Sequence, residues 1–132
     1  MIYIGNFFHV TNQQEILETE RRHGEFSLII EADGYEDAVN MFRDRILEYR
    51  KSSDFFTGDC RIFFIQLLEF DSFPKASAFM MNFKSIVGDP VLPFIGCSVP
   101  TEDSDACRIF DWKNNIPEID GQNENLFLEF NV

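Results

Sequence analysis

Tyr35, Val39, Phe42, Ile46 and Tyr49 recur at intervals of four, three, four and three residues, so a helix over 35–51 gathers them on one face. Asp33 reads as its N-cap, with Glu36 placed three residues later as the reciprocal capping glutamate. Arg43, Arg45, Arg50 and Lys51 crowd the far end, where the helix dipole favours cations. This is the one clean helical stripe in the chain, and the expected partner for it is a sheet.

Strand candidates flank the helix. Residues 25–32, EFSLIIEA, are rich in β-branched and large apolar side chains and enter the helix through a tight Asp-Gly connection. Residues 2–10, IYIGNFFHV, form a second candidate, and the polar stretch 11–24 between them is too long for a tight hairpin turn. It is expected to extend the strands or to carry a short helical turn. Beyond the helix, turn residues precede 60–70, CRIFFIQLLEF, the most apolar segment of the protein and the expected central strand. Residues 76–87 fit a strand through Phe79, Met81 and Phe83 and a helix through Ala76, Phe79, Met80, Phe83 and Val87. The strand is the preferred reading.

Proline and Asp-Gly punctuation after Gly88 leaves room only for short elements such as 93–99, 107–112 and 126–130, and LFLEF over 126–130 alternates well enough to close the sheet. No repeat, low-complexity tract or linker divides the chain. The expectation is one domain over 1–132, of the α+β class: an antiparallel or mixed β-sheet with one main amphipathic helix packed on a face.

Charge narrows the partners. With 11 basic and 23 acidic side chains the net charge is −12, which opposes direct binding to nucleic acid or to an anionic membrane. Asp89, Glu102, Asp103, Asp105, Asp111, Glu118, Asp120, Glu124 and Glu129 face only Arg108 and Lys113 in the last third, a net of −7. Against this background Arg21, Arg22 and His23 form a basic spot beside Glu18, Glu20 and Glu25, either a docking site for acidic groups or an internally paired solvated surface. The opening MIYIGNFFHV lacks a basic leader region, no apolar run approaches bilayer length, and the three cysteines form no CxxC pair. A cytoplasmic chain with reduced thiols is expected.

Signatures of catalysis are missing. The seven glycines are scattered, and neither GxSxG nor HExxH occurs, so no nucleotide, hydrolase or zinc-protease pattern is present and no cofactor or metal is expected. Cys97 after Gly96 is a weak reactive-thiol candidate, with His9 or His23 as the imidazole that would activate it. Cys60, opening an apolar strand, is expected to be buried and inert. Trp112 is either a core plug or an exposed interface anchor.

The 16 phenylalanines, three tyrosines and one tryptophan exceed what one core of this size needs at its centre, so some should reach the surface. Aromatic surplus without catalytic residues points to a non-catalytic protein-binding or regulatory module, working through a protein partner or as a homo-oligomer, with Arg21, Arg22, His23 and Trp112 as candidate contacts. Two alternatives are an acidic nucleic-acid mimic that inhibits a nucleic-acid-binding protein, and a small enzyme using Cys97 or a carboxylate pair.

Overall fold

A computed structural model describes residues 1–89 and 126–131. β1 (Ile2–Thr11) runs antiparallel to β2 (Arg22–Glu31), with Phe7 opposite Phe26. Both outcomes expected of the polar 11–24 stretch occur: the strands extend into it, to Thr11 and from Arg22, and a single 3₁₀ turn over Glu18–Glu20 occupies part of the remainder. Asn12 opens that connection at φ 56°, a left-handed conformation that asparagine tolerates better than most residues.

The chain then forms α1 (Tyr35–Ser52) and β3 (Cys60–Phe70). The sheet order is β2-β1-β3, and both pairings are antiparallel. One helix on one sheet of this kind is the α+β class expected, with the antiparallel alternative realised. The strand position is different from the expectation. β1 is central and β3 lies at an edge, because β1 finds hydrogen-bonded partners on both sides along its length while β3 has β1 alone among the described residues.

Helix and sheet meet through a small aromatic core. Tyr3, Phe7, Ala38 and Phe42 are buried together, and Phe26, Leu28, Ile30, Ile46, Ile62 and Leu67 pack around them. Phe7 stacks on Phe26 with centroids 5.0 Å apart and meets Phe42 and Phe64 edge-on at 5.8 and 4.8 Å. Each such pair adds about 0.5–1.5 kcal/mol beyond the area it buries. Gly5 makes the close approach possible, since a β-carbon there would lie 2.8 Å from the Phe7 ring and 2.9 Å from the Phe42 ring.

The helix stripe is rotated slightly from its expected centre. Ala38, Phe42 and Tyr49 are buried, Val39 and Ile46 only partly, and Tyr35 is exposed. A small side chain at Ala38 lets the helix sit down on the sheet, which tips the flanking positions outward. The N-terminus also departs from the capping reading. Gly34, in extended conformation, is the N-cap and offers no side chain, while Glu36 accepts a hydrogen bond from the Tyr35 hydroxyl at 3.3 Å. At the other end Ser53 donates through its backbone N–H and its hydroxyl to the Tyr49 carbonyl, at 2.9 and 2.7 Å.

Arg50 ties the loop after α1 in place by donating to the carbonyls of Phe56 and Gly58. Asn12 ties the same loop to the β1–β2 connection, donating through its N–H to the Asp59 carbonyl and accepting from the Asp59 N–H. These contacts seat Phe56, which is buried against Phe26 at 4.9 Å.

The chain divides into two units, Met1–Phe79 and Met80–Val132. Residues 76–87 form neither the preferred strand nor a helix, and 126–130 form no strand. In both stretches the apolar side chains are exposed, and with no strand paired to them among the described residues alternation alone does not satisfy the backbone. The short elements anticipated at 93–99 and 107–112 lie outside the described residues.

Candidate functional site

Strand β3 places large apolar side chains at the edge of the sheet formed by the described residues. Phe63, Phe64 and Ile65 are 48%, 43% and 64% exposed, whereas Phe7, opposite Phe64 on the central strand, is 5% exposed. Phe7 pairs with Phe64 and Asn6 with Gln66, so Ile65 is an additional residue, a β-bulge that interrupts the ladder in mid-strand. Bulges and charges at edges limit uncontrolled strand pairing. Here the regular stretch before the bulge, from Cys60 to Phe64, keeps its outer backbone groups in a strand-like row.

The sheet face away from α1 is ordered in cross-strand rows. Val10 lies between His23 and Arg61, Phe8 between Glu25 and Phe63, Asn6 between Ser27 and Gln66, and Ile4 between Ile29 and Leu68. In the polar row Ser27 donates to Asn6 Oδ1 at 2.7 Å and Asn6 Nδ2 donates to Gln66 Oε1 at 3.1 Å, so one amide is satisfied from both neighbours. That row pins the register of all three strands. Phe8 and Phe63 form the aromatic part of this face, with His23 5.9 Å from Phe8 between ring centroids.

The basic spot is divided by the strand it begins. Arg21 closes the 3₁₀ turn and donates to the Glu15 carbonyl at 3.4 Å. Arg22 and His23 are consecutive in β2, so their side chains leave on opposite faces, His23 beside Phe8 and Arg22 on the side of His9. All three are exposed, and among the described residues neither arginine pairs with a carboxylate. Trp112 and Cys97 lie outside the described residues, as do Cys107 and most of the acidic last third.

His9 belongs to the structure of the core rim. Its ring sits 6.1 Å from Phe26 and 6.0 Å from Phe56, and Nδ1 is buried with no hydrogen-bond partner among the described residues. Gly24 opposite leaves room for it, because a β-carbon there would stand 2.7 Å from His9 Nε2. Burial, and after it the charges of Arg22 and His23, hold the imidazole below its ordinary pKa. Cys60 is a free thiol and only partly buried, since it opens the edge strand and not a central one.

Among the described residues no three His, Cys, Asp or Glu side chains converge as a metal site. No helix among them is long and apolar enough to cross a membrane. The arrangement is an edge strand with partly exposed rings at Phe63 and Phe64. Sequence reasoning missed Arg61, Phe63, Phe64 and Ile65 as surface groups. The usable signal was the run IFFI, which shows no inside–outside alternation in a chain with more aromatic residues than its core requires. Compared with known proteins, the chain matches no protein-family model, no curated protein and no solved structure.

Proposed function

We propose that the protein is a cytoplasmic, non-catalytic binding module that engages another polypeptide through the outer edge of β3. The observation carrying this reading is the exposure of Phe63, Phe64 and Ile65 on an edge strand. Unburied rings on a strand that has β1 as its one partner among the described residues favour a partner that adds a strand, because main-chain hydrogen bonds then give affinity while alternate side chains give specificity. Glu25 and Glu31 on the face away from α1, together with the net charge of −12, disfavour a polyanion and leave a polypeptide as the fitting partner.

A photo-crosslinking residue in place of Ile65 tests this in lysate from cells expressing the protein. Leu47, an apolar side chain exposed on α1, provides the control position. Defined adducts from position 65 and none from position 47 are expected. Identical or absent adducts at both positions would remove β3 as the binding surface.

A further inference from the structure

Two descriptions of this chain fit each other. Residues 126–130, LFLEF, alternate as a strand does, yet Leu126, Phe127, Leu128 and Phe130 are 54%, 82%, 69% and 91% exposed. β3 has a regular edge on each side of the bulge at Ile65: Cys60 to Phe64, whose single charge is Arg61, and Gln66 to Phe70, whose single charge is Glu69, a like charge to that of the segment. The segment carries a single charge as well, Glu129.

We propose that residues 126–130 of a second copy add to β3 as an antiparallel fourth strand, with Glu129 opposite Arg61. In that register Phe127 meets Phe63, Leu128 meets Ile62, Leu126 meets Phe64 and Phe130 meets Cys60. Faces agree throughout. Glu129 and Phe127 fall on the side of Arg61 and Phe63, away from α1, and Leu126 and Leu128 fall on the side of Phe64 and Ile62, toward the core. A parallel arrangement with the same charge pair runs off the start of β3 after Leu128, and an antiparallel shift by two residues toward Phe64 sets Glu129 against Phe63. The bulge ends the pairing where the segment ends.

A second copy is the occupant because the chain itself supplies both halves of the complementarity, the acidic alternating segment and the basic apolar edge. Exchange between two copies is reciprocal, so both edges are covered in a closed dimer. This proposal rests on β3 being the binding edge and names what binds there.

Sedimentation equilibrium of the full chain over a wide concentration range tests it, with circular dichroism showing that each variant is folded. Both substituted side chains are exposed. The parent is expected to dimerise. Arg61→Glu and Glu129→Arg should each weaken self-association by about tenfold or more, since like charges then face each other at both symmetric sites. An equimolar mixture of the two variants should recover the parent's affinity as a one-to-one heterodimer, because each segment again meets an opposite charge. A monomer at every concentration, a dimer indifferent to either substitution, or a mixture no tighter than its components would each overturn the proposal. Adducts specific to position 65 with foreign proteins, in a chain that stays monomeric, would retire the second copy while leaving the binding edge in place.

Discussion

β1 and β3 lie side by side in one sheet and invert the expectation drawn from their composition. β3 is the more apolar, with CRIFFIQLLEF against IYIGNFFHVT, but Phe63, Phe64 and Ile65 are exposed while Tyr3 and Phe7 are buried. Position in the sheet decides burial. β1 takes the centre with Gly5, Asn6 and His9 included, because Gly5 admits the Phe42 ring, Asn6 is satisfied by Ser27 and Gln66, and His9 is enclosed by Phe26 and Phe56. The hydrophobicity that β3 does not use in the core is what remains available for a partner.

Core truncations carry the largest expected difference between the two strands. Phe42→Ala should lower stability by about 3–5 kcal/mol, the usual cost of deleting a buried ring, and Phe7→Ala should behave alike. Phe63→Ala should cost less than about 1 kcal/mol, since its ring is half exposed. Chemical denaturation reads all three, and equal losses at Phe7 and Phe63 would abolish the distinction between centre and edge.

Next in size is the packing of His9 over Gly24. Gly24→Ala should destabilise by about 1–3 kcal/mol through collision with the imidazole. His9→Ala in the same chain should then lower the cost of the glycine substitution, a coupling that a double-mutant cycle measures.

The imidazole also gives a pH dependence of definite sign. The folded state holds His9 below its ordinary pKa of about 6.5, so on acidification the unfolded chain binds the proton first. Its share of stability is therefore complete above that ordinary value, declines as pH falls below it, and is lost once pH passes the lowered folded-state value. His9→Phe should remove this share of the decline, seen as a smaller difference between denaturation midpoints at neutral and mildly acidic pH. An unaltered difference would place the acid sensitivity elsewhere.

The smallest stability effect is expected at the bulge. Ile65→Lys should shift unfolding by no more than about 0.5 kcal/mol, as for an exposed substitution. Self-association should persist in this variant, because the pairing assigned to β3 stops at Phe64, whereas Arg61→Glu should weaken it, and sedimentation of the two variants separates the bulge from the pairing edge.

Local structure was legible in the sequence wherever local chemistry decides it. The spacing from Tyr35 to Tyr49 locates α1, and the apolar run bounded by Thr57-Gly58-Asp59 and Pro74 locates β3 with its observed limits. β2 begins earlier than expected because Arg22, His23 and Gly24 look polar and turn-forming alone, yet each pairs with β1. Strand order was illegible for a different reason. It depends on which strand finds two neighbours, a nonlocal property, and β3's lack of alternation fits a buried centre and an adhesive edge equally well. The candidate contacts suffered likewise: Arg21, Arg22 and His23 are adjacent in sequence, but strand alternation separates the last two. Arg61 and Phe63 share a face because they are two apart.

β1 is the centre of the described sheet, and β3 is the edge that a partner strand is proposed to complete. Residue-resolved amide hydrogen exchange of the full chain at low and high protein concentration addresses it directly. Amides of β1 should be protected equally at both concentrations, and those β3 amides between Cys60 and Phe64 that point away from β1 should gain protection only as concentration rises, together with amides of residues 126–130. Outward β3 amides that exchange at one rate at every concentration, or that are already as protected as β1 in the dilute chain, would contradict it.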